Sequence, residues 1–212
     1  MRKIIILSFV TLDGVMQAPG GPGEDRSGGF KHGGWTVPYF DDFSGRIMAE
    51  QMSRPFDLLL GRKTYEIFAS YWPHHNDEAD PVAAGINRAT KYVASRTLKR
   101  LDWDPSVLIK RNTGSEVRKL KGQDGPDLQV HGSGNLIQTL FQHDLVDTLR
   151  IWQFPVVLGT GKRLFGGGTI PRSFRLVDTQ LNTTGAVLHV YERADGLKYG
   201  EVEVGQETVI FD

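Results

Sequence analysis

The chain has 212 residues, 25 Lys and Arg balanced by 25 Asp and Glu, no cysteine and 39% hydrophobic content. That length suits one domain whose core needs no disulfide or metal staple. The missing cysteines exclude a disulfide scaffold, cysteine zinc sites, iron–sulfur clusters and a thiol nucleophile. Zero net charge lacks the basic excess of a nucleic-acid-binding surface. No run approaches the roughly 20 apolar residues of a membrane span, and Ile4 to Leu7 falls short of a signal peptide, so a cytoplasmic protein is expected.

In chain order, residues 3–10 are apolar at nearly every position and predict a strand buried on both faces. Residues 13–38 are crowded with glycine; a loop of that length inside a domain is functional or disordered. The part from Asp13 to Gly34 reads as a mobile lid, anchored at its far end by Trp35 and Pro38. Pro38 and Asp41 open a helix with Phe43, Ile47, Met48 and Met52 on one face. A second buried strand, 56–60, runs through Gly61-Arg62-Lys63-Thr64 into a helix with Tyr65, Phe68 and Ala69 apolar. Residues 73–81, from Pro73 to Pro81, read as a polar surface loop. Strands are expected at 91–95 and 106–110, then a modest surface helix at 115–120. Strand 127–131 passes through Gly132-Ser133-Gly134 into a helix carrying Leu136, Ile137, Leu140, Phe141 and Leu145. A long strand is expected over 147–158, interrupted by Pro155, and 173–182 pairs with 185–193 around Thr183-Thr184-Gly185. A tail, 195–212, holds β-like runs at 201–204 and 208–211, apart from a 1–194 domain. Strands alternating with helices indicate an α/β fold, a mostly parallel sheet with antiparallel strands at one end.

Two strand-to-helix junctions carry the first chemical signal. At Gly61-Arg62-Lys63-Thr64 a sharp turn meets a helix start, whose free N–H groups and two cations suit a phosphate. An N-cap with two solvated cations reads equally well there. At Gly132-Ser133-Gly134-Asn135 small residues admit a pyrophosphate, although Ile137 stands at the third glycine position of the dinucleotide fingerprint and a tight turn looks the same. Two such junctions in one chain favour a dinucleotide. Ser95-Arg96-Thr97 suits the 2′-phosphate of NADP, or is a polar strand end. A third glycine-rich stretch, 158–168, reads as a ligand contact or a crossover loop. His74, His75, Asp77 and Asp80 lack the spacing of a zinc motif, so no metal is expected. A Gly-x-Ser-x-Gly elbow and a Walker pattern are both absent.

Five stretches in order are Thr11-Leu12-Asp13-Gly14, Leu60 to Glu66, Lys91 to Thr97, Val130 to Gly134 and Phe154 to Phe165. Together they resemble the dihydrofolate-reductase-like superfamily, in the branch similar to the C-terminal reductase domain of the bifunctional riboflavin-biosynthesis deaminase/reductase. The resemblance spans residues 1–193. It implies a mostly parallel sheet of about eight strands flanked by helices, with an antiparallel C-terminal hairpin. It also implies a homodimer, with NADPH at the C-terminal strand ends and hydride transfer to a small heteroaromatic or ribosylamino-pyrimidine/pteridine-type substrate. Carried over, Gly61, Arg62, Lys63 and Thr64 meet the pyrophosphate and adenosine phosphate, and Gly132, Ser133, Gly134 and Asn135 the pyrophosphate from the other side. Ser95, Arg96 and Thr97 meet the 2′-phosphate. Asp13 and Asp41 are the catalytic candidates, and Trp35, Tyr39, Phe68, Trp152 and Gln153 the substrate-pocket candidates. Dihydrofolate reductases carry a carboxylate shortly after a Trp and a Pro; here Asp41 and Asp42 fall one and two places late, and Asp41 also reads as a helix cap. That departure disfavours folate. A nucleotide-binding sensor or scaffold without turnover is the alternative.

Overall fold

The computed structural model describes residues 1–75, 77–167, 169–204 and 207–209. The apolar run after Lys3 forms β1 (Ile4–Thr11), paired at both edges with parallel neighbours and buried on both faces because helices pack on each side of the sheet. There follow α1 (Asp42–Ser53), β2 (Phe56–Gly61), α2 (Arg62–Tyr71), α3 (Pro81–Arg88), β3 (Lys91–Ala94) and β4 (Ser106–Ile109). The chain continues with α4 (Thr113–Lys121), β5 (Asp127–His131), α5 (Gly134–Gln142), β6 (Thr148–Phe154), β7 (Phe174–Leu181) and β8 (Val187–Arg193). Eight strands make one sheet in the order β4-β3-β2-β5-β1-β6-β8-β7. Strands β1 to β6 run parallel, β8 is antiparallel to β6, and β7 to β8. The architecture is the one expected.

Alternation along the strands sorts the core. Ile4, Ile6, Leu59, Leu128, Val130 and Leu149 share one cluster with Val117 and Leu120 of α4 and Leu136, Ile137, Leu140 and Phe141 of α5. Leu7, Leu58, Leu60 and Val93 face the other way, against Met52, Tyr65 and Ile86 from α1, α2 and α3. Chain reversal after β4 brings β5 back between β2 and β1. Helices α2 and α5 leave the adjacent ends of β2 and β5 on opposite faces, which makes this point the topological switch point of the sheet.

Several boundaries differ from expectation. The strand expected over 147–158 stops at Phe154, since Pro155 has no N–H for the ladder and Val156 N–H turns back to the Phe154 carbonyl at 2.8 Å. The polar loop ends in α3, whose Val82, Ala83 and Ile86 face the core; Pro81 sits at its first turn, where proline starts a helix. Strands β3 and β4 each end one residue early, and α4 is longer than 115–120. In the tail, β9 (Val202–Val204) and β10 (Glu207–Val209) form a separate antiparallel pair; positions 210–211 of the second expected run lie outside the described residues.

The segment from Asp13 to Gly34 does not lie over the sheet as a loose lid. Val15, Ala18 and Phe30 join Trp35, Trp152, Phe154 and Leu188 in a third buried cluster. It is stitched to the 158–166 stretch: Met16 N–H donates to the Lys162 carbonyl at 2.8 Å, Leu164 N–H to Gly14 at 3.0 Å, and Lys162 pairs with Asp25 at 2.6 Å. At Gly161 a Cβ would lie 2.7 Å from Val15 and 2.8 Å from Phe30, so only glycine permits this contact. Gly168 of that stretch lies outside the described residues.

Candidate functional site

The sheet register brings the three phosphate-friendly stretches together. Gly61 pairs with Ala94, so Arg62 and Ser95 leave neighbouring strands at the same edge. On the other side of β2, β5 delivers Gly132 and Ser133. Ser133 ties the two junctions: its Oγ accepts from Gly61 N–H at 2.9 Å and donates to Thr64 Oγ1 at 2.7 Å. A Cβ on Gly61 would meet Ser133 Cβ and Oγ at 3.1 Å. Met16 covers the turn, its Cε 3.7 Å from where a Gly132 Cβ would stand.

Helices α2 and α5 begin at Gly61 and Ser133 with no side-chain cap, whereas Asp41 and Asp80 cap α1 and α3. The first N–H groups of α2 and α5 are therefore donors for an outside anion. The α4 start also lacks a side-chain cap, but the His143 ring closes over Gly114 there. Lys63, Arg96, Thr97 and Asn135 are exposed. Arg62 holds Glu66 at 3.0 Å, an exposed pair of small worth. Ser95 is buried and its Oγ accepts from Thr97 and Leu98 N–H at 3.2 and 3.0 Å, shaping the turn that presents Arg96.

The two catalytic candidates are clamps in this structure. Asp13 accepts from Thr11 Oγ1 at 2.6 Å and from Leu158 and Gly159 N–H at 3.2 and 2.9 Å, and these bonds hold its carboxyl down at about 2. Arg163 reaches its carboxylate and carbonyl as well. Asp41 accepts from Thr183 Oγ1 at 2.7 Å and Ser44 N–H at 2.9 Å, which keep it well below the usual carboxylate range. Both are ionised at neutral pH and carry no proton to give.

The substrate-pocket candidates separate. Trp35 and Trp152 are core residues of the third cluster, Trp35 donating to the Gln17 carbonyl at 2.8 Å. Tyr39 packs at their margin, edge-on to Phe154 at 6.4 Å. Phe68 lies on the α1–α3 face, 5.9 Å from the His131 ring at the end of β5. Gln153 is paired with Val10 and so points to the opposite face from Trp152. Burial pushes His131 down to about 4, leaving it neutral, with Nε2 3.1 Å from Gln129 Oε1.

Gln129 also lines a cleft of about 330 Å³ between α1 and this face of the sheet. Glu50, Gln51 and Arg54 at the α1 end, Asp127 from β5, Arg150 from β6, and Asp178 and Gln180 from β7 complete its polar lining. Sequence reading did not single out these residues, although Arg150 in the middle of the apolar Leu149-Arg150-Ile151-Trp152 was a visible anomaly. The four residues of the polar loop do not converge: His75 stacks on Tyr71 and Asp80 caps α3, and among the described residues no cluster of three such side chains could hold a metal.

An open α/β sheet with two uncapped helix starts flanking its switch point is a scaffold of the kind on which phosphate-bearing ligands bind. The chain belongs to the RibD C-terminal domain family, a family of reductases, whose model matches residues 2–190. It is 31% identical over 196 residues to the uncharacterized protein YyaP of Bacillus subtilis, covering 90% of this chain and 94% of that protein. A second B. subtilis relative, the uncharacterized protein YwjB, is 24% identical, with 91% and 99% covered. Among solved structures, it is similar to a protein assigned provisionally to riboflavin biosynthesis from Shewanella sp. PV-4, with a TM-score of 0.64, 22% identity and 91% and 99% covered. A pyrimidine reductase-like protein from Corynebacterium diphtheriae matches at a TM-score of 0.54 and 11% identity, with 91% and 92% covered. These two likenesses speak to the fold. Among the described residues no helix is long and apolar enough to cross a membrane.

Proposed function

We propose that the protein is an NADPH-dependent reductase that delivers hydride to a small heteroaromatic substrate of pyrimidine or pteridine type. The observation that carries this reading is the convergence of Gly61–Thr64, Ser95–Thr97 and Gly132–Asn135 on one sheet edge, with two helix starts free to donate. The donor set fits the cofactor: backbone N–H groups and the Thr64 hydroxyl for a pyrophosphate, and exposed Arg96 with Thr97 for a 2′-phosphate. NADPH, when bound, supplies the hydride. The chain's own part is to hold the two reactants together and exclude water, with Met16 over the Gly132 turn and Phe68 beside His131. Asp13 and Asp41, both ionised, do not supply the accompanying proton.

Incubating the protein with NADPH and a panel of pterins, folates and riboflavin precursors tests the reading; loss of NADPH absorbance with one substrate is expected. A sensor or scaffold role is the second reading, favoured by the commitment of both carboxylates to structural bonds. Binding of NADPH without turnover across the panel would support it.

A further inference from the structure

In a chain without cysteine, methionine is the readily oxidised side chain, and its sulfoxide turns an apolar group into a polar one. The four methionines here sit very differently. Met1 is 90% exposed ahead of β1, Met52 is fully buried, and Met48 packs against the α1–α3 core cluster. Met16 lies half-buried over the turn between β5 and α5. We propose that Met16 is an oxidation site that switches off the phosphate-binding edge: a hydroperoxide converts its thioether to the sulfoxide, and the new oxygen takes the donors at the start of α5.

The contacts of the side chain place the sulfur. Met16 Sδ is 3.9 Å from where a Cβ on Gly134 would stand, and its Cε is 3.7 Å from the same position on Gly132. Gly134 opens α5. Ser133, whose residue type would cap that helix, has its Oγ turned away to Gly61 N–H and the Thr64 hydroxyl. Ile137 N–H reaches the Ser133 carbonyl at 3.0 Å, so the N–H groups of Gly134, Asn135 and Leu136 are left for an outside acceptor. A thioether accepts too weakly to take them. An oxygen carried by the same sulfur does not share that weakness.

The arm that bears the sulfur is held in place. Val15 N–H donates to Thr11 Oγ1 at 2.9 Å, Met16 N–H to the Lys162 carbonyl at 2.8 Å, and Lys162 N–H to Gln17 Oε1 at 3.0 Å. Val15 and Gln17 on either side are buried. Only the flexible side chain of Met16 adjusts, so the oxygen stays over the turn. In the oxidation, an electron pair of sulfur attacks the O–O bond, which breaks; one oxygen stays on sulfur and the other leaves as the alcohol, or as water from hydrogen peroxide. A methionine sulfoxide reductase reverses it, with a dithiol oxidised to the disulfide and water released. The loss of cofactor affinity rests on the reductase reading; the capture of the α5 donors does not, so each has its own measurement.

The full chain is treated with hydrogen peroxide until peptide mass spectrometry shows Met16 converted and Met52 intact. Without cofactor, at least one of the amide protons of Gly134, Asn135 and Leu136 is expected to shift downfield in the NMR spectrum and to exchange at least about tenfold more slowly. NADPH affinity is expected to fall about tenfold or more on oxidation, and to return after treatment with methionine sulfoxide reductase and dithiothreitol. Met16→Leu retains Met1 and Met48 as controls for oxidation elsewhere, and its affinity is expected to be the same before and after peroxide. Met16→Gln, which puts a polar acceptor in the same place, is expected to bind NADPH about tenfold more weakly than Met16→Leu. The proposal is overturned if Met52 oxidises before Met16, if the three amides do not respond, if the oxidised protein binds NADPH as tightly as before, or if Met16→Leu loses affinity as the wild type does. Amides that respond in a protein binding NADPH in neither form would uphold the capture of the donors and count against the reductase reading alone.

Discussion

Substituting Gly61 by alanine probes whether the two helix starts work as one unit. The backbone of Gly61 is ordinary, at φ −80°, so alanine is not strained there; the obstacle is the Ser133 side chain, 3.1 Å from the new methyl. Relieving that contact by a few tenths of an ångström stretches the Gly61 N–H bond to Ser133 Oγ, now 2.9 Å, and shifts the Thr64 hydroxyl bonded to the same oxygen. Overpacking of this kind costs about 1–3 kcal/mol. Ser133→Gly removes the obstructing atoms and relaxes a left-handed residue at φ +68°, while losing two hydrogen bonds, a net cost near 1 kcal/mol. If the contact is what matters, Gly61→Ala costs little in the Ser133→Gly background, and the cycle shows about 1–2 kcal/mol of coupling. Urea unfolding of the four proteins measures it, and NADPH titration followed by Trp fluorescence shows whether affinity falls with the same pattern. Costs that add within about 0.5 kcal/mol would refute the argument that Ser133 couples the junctions.

Arg96→Ala should remove most of a preference for NADPH over NADH of at least about tenfold, because a charge-assisted bond to the 2′-phosphate contributes roughly 1.5–3 kcal/mol; parallel titrations decide it, and equal wild-type affinities would sink the assignment. His131 takes up its proton in the unfolded chain near 6.5 but in the fold only near 4, so stability is lost as pH falls between those values. The loss amounts to about 2 kcal/mol and should vanish in His131→Phe, read as the difference in urea midpoint at pH 7 and pH 4.5. A homodimer is expected in solution, with β7 at the sheet edge exposing Leu176, Val177 and Leu181; light scattering at micromolar concentration should give about twice 23.6 kDa, and the monomer mass refutes it.

The sheet was legible because its strands are short apolar runs bounded by glycine, and because five motifs in order define the family. Periodicity served less well where a proline stood at a boundary: Pro81 starts a helix and Pro155 ends a strand, and the residue alone does not say which. The junctions at Gly61 and Gly132 were readable as local chemistry, but their contact through Ser133 is a matter of strand order. Glycine count misled over the segment from Asp13 to Gly34, since the few apolar residues between the glycines, Val15, Ala18 and Phe30, decide its packing. Gln51 carries no signal, because a polar residue facing inward looks in sequence like one facing water, whereas Arg150 stands out among Leu149, Ile151 and Trp152.

The turn between β7 and β8 reaches across to α1: Asn182 Nδ2 donates to the Tyr39 carbonyl at 2.8 Å and to Ser44 Oγ at 3.0 Å, while Thr183 grips Asp41. During synthesis every part of the Gly61, Ser95 and Gly132 edge emerges before this hairpin does. A nascent chain can thus assemble that edge while the start of α1 still lacks its tether and the cleft beneath it has no outer wall, since Asp178 and Gln180 come from β7. The last strands made complete the walls of the cleft, and a chain truncated before Phe174 would keep the Gly61, Ser95 and Gly132 edge without them.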